Sequence, residues 1–136
     1  MSNANAEAIR GVYARWSEGD FRSSAELYDP LVLFVMGPGF PDAGAYLGVD
    51  RVAEYTRGFL EPWSRIAIQA EAIAEAGDTV VVSVLQRGVG KESGAPAEFR
   101  YFHVWTFRGP RVIRLESFRD RDQARMAAGL QASGGA

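Results

Sequence analysis

The residue with most to offer chemically is His103, the single histidine of the chain, set in the run Phe99, Arg100, Tyr101, Phe102, His103, Val104, Trp105, Thr106, Phe107. Strand side chains alternate between faces, so Phe99, Tyr101, His103, Trp105 and Phe107 share one side, and Arg100, Phe102, Val104 and Thr106 the other. A titratable imidazole thereby stands on an aromatic face that something must cover. With an unperturbed pKa of about 6.5 the ring can take and give protons at cellular pH, and an apolar surround lowers that value and keeps it a neutral base. A lone proton-transfer group under an apolar cover suits a small-molecule pocket. A core histidine bonded to a hydroxyl or a backbone carbonyl gives the same pattern.

The other candidates surround this one. Tyr13, Trp16, Trp63 and Tyr101 each join a ring to a polar tip that needs a partner once buried, so they fit either a pocket wall or plain core. Asp42 and Tyr46 lie in the Gly- and Pro-rich stretch 37–48, where Asp42, beside Pro41, reads as a catalytic acid or as turn chemistry. What faces His103 depends on the turn at Gly109-Pro110. A plain two-residue hairpin places Glu116 opposite it. A bulge inverts the parity and sends Leu115, Ser117 and Arg119 inward, and Pro110, having no N–H, fits a tight turn badly. Arg119 then reads as a clamp for an anion or a carbonyl, or as a solvated strand-end charge. Gly88 to Gly94 has the glycines of a phosphate loop, but no helix follows it, so it reads as a hairpin tip.

Composition narrows the classes. The 136 residues are 47% hydrophobic and 24% charged, as expected of one globular domain over 1–136 with an ordered core of residues 5–129. With no cysteine and one histidine, thiol nucleophiles, thiolate metal sites and multi-histidine centres are excluded, and no cofactor is required. The net charge of -2, with no basic cluster among the aromatics, speaks against nucleic acid as a partner. No apolar stretch approaches about 20 residues, which speaks against a membrane. Met1 to Glu7 has neither the cationic start nor the apolar run of a secretion signal, so the expected location is cytoplasmic.

The elements that must position these residues follow from periodicity. Ile9, Val12, Tyr13 and Trp16 form the stripe of a helix from Ala4 to Glu18, stopped by Gly19. Asp20 can cap a shorter second helix through Leu27. Leu31 to Met36 reads as a strand, the stretch 37–48 as a loop, and Asp50 to Glu61 as a third helix with the stripe Val52, Tyr55, Phe59 and Leu60, closed by Pro62. Four strands then follow: Arg65–Ala76, Thr79–Val89, Ala97–Phe107 and Arg111–Arg119, separated by hairpin punctuation. Asp120 followed by Gln123 resembles a capping box opening a last helix that ends near Gly129, and Gln131 to Ala136 reads as a frayed tail. Helices first and a meander after them imply an α+β class: an antiparallel sheet with helices on one face only.

The element order, the turn Trp16-Ser-Glu-Gly-Asp20, the loop from Gly37 to Gly48 and the run His103-Val-Trp-Thr-Phe107 together resemble the SnoaL-like branch of the nuclear transport factor 2-like superfamily, over roughly residues 5–128. The resemblance implies a conical α+β barrel and a homodimer packed through the outer sheet face. It implies little about the reaction, because the fold hosts cyclases, isomerases, hydrolases, dehydratases and binding domains. The carboxylate base of ketosteroid isomerases falls on Met36, their helix tyrosine on Val12 with Tyr13 one residue off, and their oxyanion donor on His103. The resemblance to related epoxide hydrolases implies a tyrosine and an asparagine on the first strand, where Phe34 and Met36 stand, and an aspartate on the last strand, where Ser117 stands.

The expectation is therefore an isomerase, cyclase or dehydratase acting on a small apolar carbonyl compound. His103 would be its acid/base, with Arg119, Ser117 or Tyr101 polarising oxygen, and Tyr13, Trp16, Met36, Asp42, Tyr46, Trp63, Tyr101, Trp105 and Leu115 would line the pocket. The competing classes are a non-catalytic ligand-binding module and a dimerisation domain filled solid by Trp16, Trp63 and Trp105.

Overall fold

A computed structural model describes residues 2–129; the tail from Gln131 to Ala136 lies outside the described residues. Helix α1 (Ser2–Trp16) is followed by a short 3-10 helix (Ser23–Leu27), then β1 (Tyr28–Met36), β2 (Gly44–Leu47), α2 (Val49–Leu60), β3 (Trp63–Ala76), β4 (Thr79–Gly90), β5 (Pro96–Arg108), β6 (Arg111–Phe118) and α3 (Arg121–Ala127). The six strands form one curved, open sheet in the order β2-β1-β6-β5-β4-β3. No described helix is long and apolar enough to cross a membrane.

Local chemistry explains most of these elements. Ile9, Val12, Tyr13 and Trp16 are all buried, so the stripe turns α1 onto the concave face, where each large apolar side chain contributes about 1.5 to 3 kcal/mol by leaving water. Asp20 caps the turn after it, accepting from the backbone N–H groups of Arg22 and Ser23 at 3.1 and 3.2 Å. Register shifts within β3, between Trp63 and Arg65 and between Ala70 and Ala72, bend the sheet around α1. Asp120 accepts from the Gln123 N–H at 2.9 Å and opens α3. Replacing Asp120 with Ala should lower the unfolding free energy by about 1 kcal/mol, read by urea denaturation.

Three expectations are corrected. The sheet is mixed, because β6 returns between β5 and β1 and runs parallel to β1, a pairing across the chain that no local hairpin signal announces. The loop after β1 contains a four-residue strand at the sheet edge: β2, antiparallel to β1, with Phe34 opposite Tyr46. The helices are not confined to one face. α3 packs Ala124 and Ala128 on the convex side against Val81, Val104, Phe102 and Phe118, so the outer patch of Phe102, Val104 and Phe118 is covered from within the chain.

Candidate active site

Strand β5 turns Tyr101, His103, Trp105 and Phe107 inward and leaves Phe99 half exposed at the open end. The hairpin to β6 carries a register shift between Thr106 and Phe107, so Trp105 pairs with Leu115 and His103 with Ser117, while Glu116 lies opposite Val104 on the outer parity. Of the two readings of the Gly109-Pro110 turn, the bulged one holds.

Across from β5, α1 presents Tyr13 and Trp16, one helical turn apart. The Tyr13 hydroxyl lies 2.6 Å from His103 Nδ1 and accepts from the Trp105 indole N–H at 2.9 Å. Since the indole can only donate, the Tyr13 proton is free for Nδ1, and the arrangement that gives every group a partner has Tyr13 O–H donating to an unprotonated Nδ1. The ring is then the tautomer with its proton on Nε2, and Nε2–H has no protein partner among the described residues. The tyrosine that meets His103 is Tyr13 rather than Val12, a correction of one residue to the alignment with ketosteroid isomerases.

Rings enclose the imidazole. Tyr101, Tyr13, Trp105 and Trp16 stand with centroids 5.2, 6.0, 6.0 and 6.2 Å from it. Trp16 and Trp105 lie 5.7 Å apart, and Trp16 donates its N–H to the buried Ser24 hydroxyl at 3.1 Å. His103 is 4% exposed, and burial alone lowers its pKa to about 3. It is a neutral ring at any physiological pH. Burial likewise pushes Tyr13 well above its usual range, so its proton stays on.

The remaining predicted residues fall into two groups. Met36 and Leu115 belong to the same core cluster as these rings, and the Ser117 hydroxyl donates to Met36 Sδ at 3.3 Å across the β1–β6 pair. The second group gathers around the loop after β1. Arg119, exposed at the end of β6, donates to the Gly39 carbonyl at 2.8 Å and lies 5.9 Å from the Phe40 ring centroid, while Phe40 meets Tyr101 edge-on at 5.6 Å. Arg119 thus fastens the loop that covers Tyr101. The Asp42 carboxylate accepts from the Tyr55 hydroxyl at 2.5 Å, and Tyr46 donates to the Asp42 carbonyl at 2.8 Å. Burial first, then the charge of Asp42, raises Tyr101 above its ordinary value, which places this carboxylate within electrostatic reach of the ring next to His103. Trp63 stands apart, against the backbone of Gly88, where an added Cβ would come within 2.6 Å of the indole. Among the described residues no three acidic or histidine side chains gather as metal ligands would.

Sequence reasoning missed two residues. Tyr55 was read only as part of the α2 stripe, although a buried hydroxyl needs an acceptor, and Asp42 supplies it. Gln86 accepts from the Tyr101 hydroxyl at 2.6 Å. It is the only polar side chain in the inward series Val80, Val82, Val84, Gln86, and that interruption was the available signal.

A family model described as a SnoaL-like domain matches residues 9–115. No curated protein matches. Among solved structures, an NTF2-like protein of unknown function from Burkholderia pseudomallei is 22% identical with a TM-score of 0.76, over 93% of this chain and 97% of that one. A protein named as a SnoaL-like polyketide cyclase from Jannaschia is 19% identical with a TM-score of 0.77, over 94% and 92%. TerC, co-crystallised with polyporic acid, is 23% identical with a TM-score of 0.74, over 93% and 98%. At these identities the likeness carries the fold.

Proposed function

The chain belongs to the SnoaL-like domain family, and from that premise we propose that it acts by proton transfer on a small, largely apolar, carbonyl-bearing molecule, as an isomerase, cyclase or dehydratase. The observation that supports this reading is the 2.6 Å contact between Tyr13 and His103 Nδ1. It fixes the tautomer and leaves Nε2–H as an uncommitted neutral donor. A neutral imidazole N–H cannot hand over its proton as an imidazolium would, but it can stabilise an oxyanion as charge develops on a substrate carbonyl, and it does so most effectively where water is excluded. Tyr13 and Trp105 act as positioning residues that hold the ring in that role.

A proton acceptor is then required elsewhere, and Asp42 is the carboxylate we assign to it. Tyr55 orients it, and the charge of Asp42 reaches Tyr101, whose ring centroid is 5.2 Å from that of His103. Arg119 serves this site through the loop it fastens, and Ser117 through Met36. A polyketide is itself a carbonyl-bearing compound, so the name of the Jannaschia protein is in keeping with the substrate class. One observation favours a second reading, ligand binding without turnover: the rings of Tyr13, Trp16 and Trp105 pack beside His103 with centroids 5.2 to 6.1 Å apart, and the imidazole is 4% exposed.

The test is deuterium incorporation α to the carbonyl of a panel of cyclic ketones and enones in D2O, followed by NMR. The wild type should accelerate exchange of at least one compound, and His103→Gln and Asp42→Asn should each reduce that acceleration by about 100-fold or more. Binding of the same compound with exchange unaltered by either substitution would transfer the assignment to the non-catalytic reading.

A further inference from the structure

Strand β4 sends Val80, Val82 and Val84 into the core, and Gln86 follows them with the same inward parity, opposite Ile68 of β3 and only 6% exposed. A carboxamide buried in a row of valines is costly unless its polar atoms are used. Its oxygen is used: Oε1 accepts from the Tyr101 hydroxyl at 2.6 Å. Its nitrogen is not, since the two N–H donors of that amide have no acceptor among the described residues. The side-chain atoms that are fully enclosed and without a partner among the described residues are Arg15 Nε and Glu75 Oε2. The Gln86 nitrogen is not one of them, so this unspent donor borders open space on the concave side.

Strand β5 sets its place relative to His103. Tyr101, whose hydroxyl holds the carboxamide, stands two residues from His103 on the same face, with ring centroids 5.2 Å apart. One aromatic side chain therefore separates the uncommitted Nε2–H of His103 from the uncommitted amide of Gln86. The surroundings are apolar, with Val84 opposite Tyr101 on β4 and Phe40 edge-on to its ring at 5.6 Å. The charge of Asp42 reaches Tyr101 and disfavours a carboxylate or phosphate at this end, leaving a neutral oxygen as the fitting acceptor.

We infer that Gln86 is a specificity-determining residue that selects substrates carrying a second, neutral oxygen one fused ring beyond the reacting carbonyl: His103 Nε2–H donates to the carbonyl oxygen, and the Gln86 amide donates to the distal ether, ketone or hydroxyl oxygen. The inference rests on the proton-transfer reading for the carbonyl end alone. A substrate without the distal oxygen leaves a desolvated N–H unpaired, which is how a polar group in an apolar wall discriminates.

The experiment compares 6-methoxy-1-decalone, whose ether oxygen only accepts, with 1-decalone, which lacks it, in titrations of the ¹⁵N-labelled full chain. The ether should bind about tenfold more tightly, the scale of one hydrogen bond away from water, and should shift the Gln86 side-chain NH2 signals more than 1-decalone does. Gln86→Glu keeps an oxygen for Tyr101 and loses both N–H donors, and Gln86→Met loses the oxygen as well; in each, the ether should lose its advantage. Because the ratio compares two ligands on one protein, a general loosening of the fold by either substitution cancels. Equal affinities in the wild type, binding of neither ketone, or a preference that survives in both variants would overturn the inference. Equal affinities, with α-exchange still lost in His103→Gln and Asp42→Asn, would remove the role of Gln86 and leave the proton-transfer reading standing. A preference that depends on Gln86, with exchange indifferent to those two substitutions, would instead remove that reading and keep Gln86 as the anchor of a bound ligand.

Discussion

Replacing Tyr13 with Phe is expected to lower the unfolding free energy by about 2 to 6 kcal/mol, although the substitution removes one oxygen atom and leaves the ring. That oxygen is the acceptor for the Trp105 N–H and the partner of His103 Nδ1. Trp105 is fully buried and His103 nearly so, so neither group has bulk water close by to take the place of the lost bond. Each orphaned buried polar group costs about 1 to 3 kcal/mol, and here one deletion orphans two. Urea denaturation reads the change directly. A loss under about 0.5 kcal/mol, the scale of an ordinary surface substitution, would mean that the three groups are not the closed set described here. Trp105→Phe is the companion measurement: it removes one donor and its ring area but leaves Tyr13 bonded to His103, so its effect on the imidazole should be small.

Stability is expected to fall as the solution is acidified from about pH 6.5, with a slope approaching 1.4 kcal/mol per pH unit, about that of one proton. The sign follows from burial. His103 has a pKa of about 3 in the folded chain, against about 6.5 when unfolded. Between those values the unfolded state holds a proton that the folded state does not, so acid favours unfolding; above the window the two states bind alike and the dependence vanishes. The lowered pKa values of Asp20, held by Ser23, and of Asp29, held by the Leu31 N–H, act in the same direction, but only nearer the ordinary carboxylate range. The interval from about pH 4.5 to 6.5 therefore isolates the histidine. His103→Gln, whose amide oxygen can still accept from Tyr13, should keep most of the stability at neutral pH and lose the slope in that interval. A slope that survives the substitution would place the titrating group elsewhere.

The candidate site was legible in one dimension and illegible in the other two. Alternation along β5 was enough to put Tyr101, His103 and Trp105 on one face, and the stripe on α1 was enough to bury Tyr13 and Trp16, because period and polarity are properties of consecutive residues. That Tyr13 rather than Val12 would meet His103, 90 residues away, depends on the rotation of α1 in the curve of the sheet, which register shifts in β3 set. Tyr55 is the same kind of case: its place in the α2 stripe announced burial, but the carboxylate that receives its hydroxyl comes from another element.

What the sequence determined by itself was the class of fold, the number and order of its larger elements, and the presence of an imidazole on an apolar face, since each follows from local periodicity and turn chemistry. What only the tertiary structure decided was how that face is covered. The parallel return of β6 beside β1, the passage of α3 to the convex side, the filling of the interior by Trp16 and Trp105, and the exclusion of Trp63 from that filling are all choices of packing. They are settled by volumes and by the need of each buried polar tip for a partner, and such partners are found among residues distant in the chain.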